Sequence, residues 1–331
     1  MSAIEDTTAM FIVTGSDDNY AAGVMVLIAS AAFHNPDARF AVLDMGIGPE
    51  NRARIDALAD RLGVSIDRVE VARDAFDHIA VARSHLTRST YLRLLIPDLF
   101  PAEDRAIYMD CDMVVMDDLS LLARVDLGDA VVAAVPCPSP DPVEVAATGH
   151  VIGSYVNAGL LVMNLPVWRR EGVAARCLEL LSDPERPLLS EDQSAINIAA
   201  HGRILPLEAR FNTYSDPGSY KQAADFPDAP AVVHYVVNNK PWILPTSLGA
   251  IWQFHARRIA DLMPPRRQLP LRRRLSLLNR DRKMYLGVAM RRRKYRMRRW
   301  MLAHMNGTVA RAYLARAKAR ASAMDQAGSL A

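Results

Sequence analysis

Residues 106–116 read Ala106-Ile107-Tyr108-Met109-Asp110-Cys111-Asp112-Met113-Val114-Val115-Met116. The apolar residues on either side have the length and composition of a buried strand, and two carboxylates interrupt them. Side chains alternate along an ideal strand, so both carboxylates are expected on one face, while Cys111 packs. A strand that runs to the edge of an α/β sheet presents them where such sheets bind ligands. Asp110 and Asp112 suit a divalent cation that holds a diphosphate; the alternative is a polar strand end at the surface.

Strands and helices alternate on both sides of this stretch. Before it, strands are predicted at 10–14, 39–44 and 64–71, with helices at 21–33 and 49–62 between them. This alternation builds a parallel, doubly wound α/β sheet. The same patterns predict the later elements: helices at 87–95, 167–181 and 190–200, and strands at 130–136, 158–165 and 231–237.

Charge divides the chain at about residue 256. Residues 257–331 hold 21 Lys and Arg against 3 acidic residues, a net charge of +18, whereas residues 1–256 hold 19 against 34, a net charge of −15. In the basic segment, Arg and Lys mix with Trp, Tyr, Met and Leu at roughly helical spacing. We therefore predict amphipathic helices that lie on an anionic membrane surface; an ordinary solvated tail is the alternative. No recognition module accompanies the charge, so no nucleic-acid partner is expected.

Cysteine usage and the first residues favour a cytoplasmic protein. Cys111, Cys137 and Cys177 are odd in number and widely spaced, which favours neither a zinc site nor a disulfide framework. Residues 1–10 contain acidic residues but no Lys or Arg, unlike a signal peptide. The longest apolar run, 24–33, is about half the length of a membrane span. We expect a cytoplasmic protein that is peripheral on the inner face of the plasma membrane.

A polar turn lies between the first predicted strand and the first predicted helix, where nucleotides bind in such sheets: Gly15-Ser16-Asp17-Asp18-Asn19-Tyr20. It is not a Gly-x-Gly-x-x-Gly loop and it is acidic, so it favours neither a dinucleotide nor direct phosphate binding. Asp17 and Asn19 suit the imide and carbonyl edge of a pyrimidine, and Tyr20 is placed to stack on the base. The alternative is that these Asp and Asn residues cap the helix.

Two later polar segments are further candidates. Asn157-Ala158-Gly159 is expected to form a polar turn at the start of the predicted strand, where glycine permits close approach of the backbone to a ligand; a plain turn is the alternative. Ser190 begins a predicted helix whose first turn contains Asp192 and Gln193. Ser190 and Gln193 match a capping box, which explains them structurally, but the same helix start presents Asp192 and Gln193 to a ligand.

The last predicted strand leads into a third polar segment. His234 is placed to complete an Asp-Asp-His site with Asp110 and Asp112; a structural histidine is the alternative. Mixed carboxylate and imidazole ligation suits Mn²⁺ better than Ca²⁺. Lys240, six residues later, is placed to neutralise a phosphate.

These segments, together and in this order, resemble family 8 of the retaining glycosyltransferases. The resemblance is strongest to the bacterial lipopolysaccharide galactosyl- and glucosyltransferases, and glycogenin is a more distant relative. It spans about residues 10–245, and no single segment is specific. The matching segments are Asp17-Asp18-Asn19-Tyr20, Thr90-Tyr91-Leu92-Arg93-Leu94, Tyr108-Met109-Asp110-Cys111-Asp112, Asn157-Ala158-Gly159, Asn164-Leu165 with Trp168, Glu191-Asp192-Gln193, Arg210-Phe211-Asn212, and His234-Tyr235 with Lys240-Pro241-Trp242.

The resemblance implies a GT-A fold over residues 8–256, that is, a Rossmann-like mixed sheet flanked by helices that binds a nucleotide sugar. A basic helical tail follows over residues 257–331. The implied donor is UDP-galactose or UDP-glucose, and the implied cofactor is Mn²⁺, with Mg²⁺ as an alternative. The implied acceptor is a saccharide or a glycolipid.

The resemblance also implies a role for individual residues. The metal ligands would be Asp110, Asp112 and His234. The catalytic residues would be Gln193, Asp192 and Arg93. The UDP-sugar would be bound by Asp17, Asn19, Tyr20, Arg93, Asp110, Cys111, Asp112, Asn157, Ala158, Asp192, Gln193 and Lys240. The acceptor side would contain His85, Val236 and Val237.

The chain departs from the family pattern at two positions. Family members often have Gly where this chain has Val237 and His where it has Ile243, which leaves the identity of the acceptor open. No Glu lies in the matching helix position, because Gln193 occupies it, and an amide is a poor nucleophile. Front-face attack guided by the leaving phosphate is therefore favoured, and Asp192 is the alternative carboxylate for a covalent intermediate.

The sequence thus predicts a retaining, Mn²⁺-dependent hexosyltransferase that acts on a lipopolysaccharide core or another cell-surface glycan. Two alternatives stay open. A metal-dependent nucleotidyl or phosphoryl transferase would use the same carboxylates but would not explain Asn157-Ala158-Gly159 and Lys240-Pro241-Trp242 in order. A non-catalytic UDP-sugar-binding protein tethered to a membrane has Val237 as its support.

Overall fold

Two β-sheets form the centre of the computed structural model, which describes residues 10–77, 79, 88–185, 188–236, 240–265 and 271–328. The strands are β1 (Phe11–Ser16), β2 (Arg39–Asp44), β3 (Ile66–Glu70), β4 (Arg105–Met109), β5 (Met113–Val115), β6 (Val132–Pro136), β7 (Val156–Asn164), β8 (Ile204–Pro206), β9 (Thr213–Tyr214) and β10 (Val232–His234). The large sheet has seven strands in the order β3-β2-β1-β4-β7-β6-β8, and the small sheet has the order β5-β10-β9.

Helices cover both faces of the large sheet. The helices of the described residues are α1 (Ala21–His34), α2 (Pro49–Leu62), α3 (Ile96–Leu99), α4 (Ser120–Arg124), α5 (Pro142–Ala147), α6 (Leu165–Arg170), α7 (Val173–Ser182), α8 (Glu191–Ala199), α9 (Gly249–Arg258), α10 (Leu271–Ala289), α11 (Arg293–His304) and α12 (Ala310–Gly328). Short 3₁₀ segments lie at Asp18–Tyr20, Arg88–Leu95, Ala209–Asn212, Pro217–Ser219 and Ala223–Asp225, and a π-helical turn at Met305–Val309.

The large sheet is mixed, with a parallel half and an antiparallel half. β1 pairs in parallel with β2 and β4, and β2 pairs in parallel with β3. β7 runs antiparallel to both β4 and β6, while β6 is parallel to β8. In the small sheet, β10 is antiparallel to β5 and parallel to β9. The prediction of an α/β fold with a mixed sheet flanked by helices is therefore confirmed.

The strands of the parallel half are apolar throughout because both of their faces are covered. In β1, Phe11 and Val13 join the apolar cluster on one face, whereas Ile12 joins the cluster on the other. α1 belongs to this second cluster, and every residue from Ala21 to Phe33 is buried. A helix that is apolar on all sides has to be enclosed, and α1 contacts β5, α2 and α9.

The apolar run at 106–116 is not one strand, and this expectation was wrong. β4 ends at Met109 in the large sheet, and β5 begins at Met113 in the small sheet. A tight turn joins them, in which the Met113 N–H donates to the Asp110 carbonyl at 3.1 Å. Carboxylates are costly to bury inside a sheet, so the chain leaves the large sheet where they occur. The two Asp side chains therefore meet in a turn and not on one strand face.

Three other predicted elements differ from the structure. The helix predicted at 167–181 is two helices, α6 and α7, separated by Gly172 with φ +61°. The helix predicted at 87–95 is a 3₁₀ segment, and the strand predicted at 231–237 ends at His234. Residues 142–147, in the Pro-rich stretch after β6, form α5, which was not predicted.

The basic C-terminal helices pack back onto the body of the protein. The hydroxyl of Tyr313, on α12, lies 3.0 Å from Nε2 of His34 and 2.7 Å from Nε2 of His255. Burial lowers the pKa of His34 to about 4 and that of His255 to about 3, so both rings are neutral at pH 7. One hydroxyl proton serves two neutral rings, so Tyr313 donates to one and accepts from the other. These bonds fix α12 to the ends of α1 and α9, and the expected domain boundary at residue 256 falls inside α9.

Tyr313→Phe tests this attachment. The substitution leaves two imidazole nitrogens without their partner, so we expect the free energy of unfolding to fall by about 1–3 kcal/mol in urea denaturation. Tyr285→Phe is the matched control, because Tyr285 is 64% exposed on α10 and should change nothing. Equal stability of the two variants would show that α12 is not held by this contact.

Candidate active site

Two carboxylates and an imidazole converge where β4, β5 and β10 meet. Asp110 follows β4, Asp112 precedes β5, and His234 ends β10. Nε2 of His234 lies 3.1 Å from Oδ1 of Asp112 and 3.6 Å from Oδ2 of Asp110. One ligand atom from each residue lies within 4.8 Å of the other two. The structure thus brings together the three residues that were expected to bind a metal.

This donor set fits a divalent transition-metal ion. Oδ1 of Asp112 is buried and accepts no hydrogen bond from the part of the chain that the structure describes. A buried carboxylate oxygen without a donor is costly unless a cation approaches it. Two carboxylates and one imidazole nitrogen are ligands that Mn²⁺ accepts, whereas Ca²⁺ prefers oxygen alone.

Gly159 makes room for the three ligands. A Cβ at this position would lie 2.4 Å from Cε1 of His234 and 2.7 Å from Oδ2 of Asp110. The Gly159 carbonyl accepts the Asp110 N–H at 2.7 Å, which holds β7 against the turn. Asn157 and Gly159 lie inside β7, so the expected turn before the strand is wrong. The expected close approach at Gly159 is present, but to other protein atoms.

Lys240 neutralises Asp112. Its ammonium donates to Oδ2 of Asp112 and, at 2.8 Å, to the carbonyl of Tyr235. Burial raises the pKa of Asp112, but Lys240 and His234 outweigh it and hold that pKa well below its usual range. Burial lowers the pKa of Lys240, but Asp112 outweighs it and raises that pKa. The site therefore holds a charged ammonium beside the three expected metal ligands.

Arg93 is a buried cation that joins three parts of the site. Its guanidinium lies 2.9 Å from Oδ1 of Asp110 and 3.0 Å from Oδ2 of Asp192, and it donates to the Ala158 carbonyl. Burial lowers the pKa of Arg93, but the two carboxylates more than offset this and raise it. Because Arg93 binds Oδ1 of Asp110, that carboxylate directs Oδ2 toward His234.

Asp192 is the second carboxylate that Arg93 holds. Its Oδ1 accepts a hydrogen bond from the Thr90 hydroxyl at 2.6 Å. Burial raises the pKa of Asp192 to about 6, although Arg93 and Thr90 act to lower it. The carboxylate is therefore ionised at neutral pH and becomes protonated as the pH falls through about 6.

Gln193 does not cap α8, so the predicted capping box is wrong. Ser190 occupies the N-cap position without a side-chain bond to the helix. Gln193 instead turns inward, where its Oε1 accepts from Nδ2 of Asn157 at 2.6 Å and from the Ala158 N–H at 3.3 Å. The helix start is held by buried Glu144, which accepts the Ser190 N–H at 3.0 Å.

The predicted nucleotide residues lie in the turn after β1. Asp17 accepts the Asn19 N–H at 2.8 Å, so Asp17 is a cap, as the alternative interpretation expected. Tyr20 packs edge-on against Trp242, with ring centroids 5.7 Å apart. A cavity of about 550 Å³ borders this turn, and Asp17, Asn19 and Arg88 are among the residues that line it.

Two more of the predicted residues, Cys111 and Val236, are described by the structure. Cys111 lies between the two carboxylates, and burial raises the pKa of its thiol well above the usual value, which agrees with a packing role. Val236 follows β10 and is half-buried. His85 and Val237, the other two acceptor-side predictions, lie outside the residues that the structure describes.

Four side chains that support the site received no role from the sequence. Thr90 and Asn212 stand in matching segments, and they bind Asp192 and His234. Tyr155 and Glu144 lie beside Gln193 and beneath α8. Their hydrogen bonds join residues far apart in the chain, so no local pattern signals them.

Comparison with known proteins agrees with the expected family. The sequence model described as glycosyl transferase family 8 matches residues 11–244. General stress protein A of Bacillus subtilis is 31% identical over 250 residues, which cover 70% of this chain and 87% of that protein. The lipopolysaccharide 1,3-galactosyltransferase of Salmonella typhimurium is 29% identical over 251 residues, which cover 72% of this chain and 74% of that protein.

Solved structures show the same fold. The galactosyltransferase LgtC, crystallised with donor and acceptor sugar analogues, has a TM-score of 0.64 at 28% sequence identity. The match covers 80% of this chain and 99% of that one. The predictions of a GT-A fold and of a resemblance to bacterial lipopolysaccharide transferases are therefore confirmed.

Gly159→Ala tests the geometry of the metal ligands. The added methyl has to displace the His234 ring or the Asp110 carboxylate, so we expect Mn²⁺ affinity to fall by about tenfold or more. Titration followed by electron paramagnetic resonance of free Mn²⁺ measures this affinity. Gly307→Ala is the matched control, since a Cβ there meets no described heavy atom within 4 Å. Wild-type affinity in Gly159→Ala would contradict the arrangement.

Proposed function

The chain belongs to glycosyl transferase family 8, and we propose that it transfers a hexose from a UDP-sugar to a saccharide acceptor, with retention at the anomeric carbon. One observation carries the proposal: two carboxylates, an imidazole, a buried ammonium and the amide of Gln193 meet at one edge of the sheet. The donor is UDP-galactose or UDP-glucose. The Salmonella relative, a lipopolysaccharide 1,3-galactosyltransferase by name, supports a lipopolysaccharide core or another surface glycan as acceptor.

Asp110, Asp112 and His234 would hold Mn²⁺, or Mg²⁺ in its place. A bound ion supplies positive charge that binds the diphosphate and stabilises the charge that develops on departing UDP. Lys240 serves the same purpose from the protein side, because its ammonium already lies at the carboxylate of Asp112. When Lys240 turns to a phosphate oxygen, both oxygens of Asp112 become accessible to a cation.

Arg93 and Asp192 bind and orient the donor sugar in this proposal. Asp192 is ionised at neutral pH, and a carboxylate accepts hydrogen bonds from sugar hydroxyls. Arg93 pairs with both Asp192 and Asp110 and so fixes the position of one carboxylate relative to the other. The sugar and the diphosphate are therefore held in a fixed relative position. Holding the reacting groups in one geometry lowers the entropic part of the barrier.

The contacts of Gln193 favour front-face attack over a covalent intermediate. Its Oε1 already accepts two hydrogen bonds, from Asn157 and from the Ala158 N–H. An amide oxygen engaged in this way is a poor nucleophile. Asp192, the alternative carboxylate, is bound by Arg93 and Thr90. The acceptor hydroxyl therefore attacks the anomeric carbon on the side of the departing phosphate, and a phosphate oxygen takes its proton.

We also propose that α10 binds an anionic membrane surface. Leu275, Leu278, Tyr285 and Leu286 are each more than half exposed, between 53% and 66%. Their spacing places them on one side of the helix, and basic residues surround them in the sequence. Among the described residues, no helix is both long and apolar enough to span a bilayer. These features support a peripheral position, which we assign to the inner face of the plasma membrane.

Release of UDP from a panel of UDP-sugars, with and without Mn²⁺, tests the proposed reaction. We expect Mn²⁺-dependent release from UDP-galactose or UDP-glucose and a loss of about 100-fold or more in Asp112→Ala, because the leaving group loses its counter-charge. Asp98→Asn, at an exposed acid on α3, should retain the wild-type rate. Metal-independent release would contradict the proposal. Binding of UDP without release from any sugar, even with saccharide acceptors present, would favour the non-catalytic alternative.

Sedimentation with phosphatidylglycerol vesicles tests the membrane proposal. We expect the triple variant Leu275→Ser, Leu278→Ser, Leu286→Ser to bind about tenfold more weakly or worse, because it loses apolar area, while UDP release is kept. The matched control carries serine at three exposed apolar residues outside the tail: Val143, Val151 and Ile152. The role of α10 would be refuted if the triple variant and the control variant bound the vesicles equally. It would also be refuted if the wild type bound neutral vesicles as strongly as phosphatidylglycerol vesicles.

A further inference from the structure

His234 begins a chain of hydrogen bonds that leads away from the metal ligands. Its Nδ1 lies 2.9 Å from Oδ1 of Asn212. Nδ2 of Asn212 donates to Oδ1 of Asn157 at 2.7 Å. Nδ2 of Asn157 donates in turn to Oε1 of Gln193 at 2.6 Å. Three consecutive amide side chains therefore extend from His234 to Gln193, one of the residues expected to bind the UDP-sugar.

The chain continues beneath α8 and ends on a buried carboxylate. Nε2 of Gln193 donates to the Tyr155 hydroxyl at 3.0 Å, and this hydroxyl lies 2.7 Å from Oγ of Ser194. Oγ of Ser194 donates to Oε1 of Glu144, which is 3% exposed. Six hydrogen bonds thus join the imidazole to one carboxylate.

The carboxylate of Glu144 determines which group donates in each hydrogen bond of the network. Glu144 accepts from Ser194 and from the Ser190 N–H, so the Ser194 proton points toward Glu144. Ser194 is then left as the acceptor for the hydroxyl of Tyr155, which has one proton to donate. Tyr155 in turn accepts from Gln193. In every hydrogen bond of the network, therefore, the group nearer to His234 donates to the group nearer to Glu144.

Two backbone groups fix the amides independently. The Ala158 N–H donates to Oε1 of Gln193 at 3.3 Å, and the Gly159 N–H donates to Oδ1 of Asn157 at 3.0 Å. A backbone N–H is an unambiguous donor, so neither amide can be reversed without losing a bond. Asn212 consequently turns its NH₂ group to Asn157 and its oxygen to the imidazole.

We propose that Asn212 is the positioning residue of the metal site: it holds the proton of His234 on Nδ1, so that Nε2 keeps its lone pair for the metal. Without this acceptor the competing tautomer would be favoured. Nε2 faces Asp112 at 3.1 Å and Asp110 at 3.6 Å, and either carboxylate would accept a proton from it. The bond made by one ring nitrogen decides which nitrogen can bind a metal.

The same hydrogen-bond network holds Gln193. The proposed metal ligand His234 and the residue expected to bind the UDP-sugar are therefore supported together. Asn212 acts on the reaction through His234 and touches none of the reacting groups in this account. The inference rests on the proposed metal site, and the tests below separate the two, because one of them needs no metal.

¹⁵N NMR of histidine-labelled, metal-free protein at mildly alkaline pH reads the tautomer directly. The protein has eight histidines, and the signals that vanish in His234→Asn belong to His234. We expect the proton on Nδ1 in the wild type and on Nε2 in Asn212→Leu, while Asn212→Asp keeps it on Nδ1. A proton on Nε2 in the wild type would overturn the inference.

Mn²⁺ titration of the same variants provides the second readout. We expect Asn212→Leu to bind about 10–100-fold more weakly and Asn212→Asp to stay near the wild type. Asn35→Leu is the control for simple loss of a buried asparagine, since Asn35 is 7% exposed and bonds to the Leu119 N–H outside this chain. It should lose stability and keep Mn²⁺ affinity.

Two outcomes of the titration would overturn the inference: wild-type affinity in Asn212→Leu, or an equal loss in Asn212→Leu and Asn35→Leu. A wild type that binds no Mn²⁺ but carries its proton on Nδ1 would refute the metal-dependent function and support the tautomer assignment. Failure of the function and failure of this inference are therefore distinguishable.

Discussion

The site depends on the pairing of two carboxylates, in the turn between β4 and β5, with buried cations. Arg93 binds Asp110, and Lys240 binds Asp112. A buried charge without a partner would destabilise the fold by several kcal/mol. This requirement brings the 3₁₀ segment before α3 and the loop after β10 to the same point. The residues that keep the carboxylates charged are also those suited to bind a diphosphate.

Polar and apolar parts of the structure depend on each other at this edge. Gly23 allows the Cys111 carbonyl to sit directly on α1, where a Cβ would lie 2.4 Å from that oxygen. Gly159 does the same for the imidazole from the side of β7. The two glycines allow the turn between β4 and β5 to pack closely against α1 and β7. The hydrogen bonds through Asn212 set the orientation of the His234 ring. Packing therefore places the ligands, and hydrogen bonding directs them.

The sequence predicted the elements with a clear pattern and three side chains that the structure brings together, Asp110, Asp112 and His234, but not how these side chains are held. The predicted bounds at 39–44 and 49–62 agree with β2 and α2, because the first is a short continuous apolar run and the second is a helical pattern that ends at Gly63. The single strand at 106–116 and the capping box at Ser190 were wrong, because in both places tertiary contacts outweighed the local pattern. Asn212 lies 22 residues before His234, and nothing local reveals their hydrogen bond.

Anomalous X-ray scattering at the manganese edge, from crystals grown with Mn²⁺ and UDP, locates the metal directly. We expect one strong peak within coordination distance of Asp110, Asp112 and Nε2 of His234. We also expect the ammonium of Lys240 to have left Asp112 for the diphosphate. A peak away from these three residues, with UDP bound elsewhere and Lys240 still on Asp112, would contradict the proposed metal site.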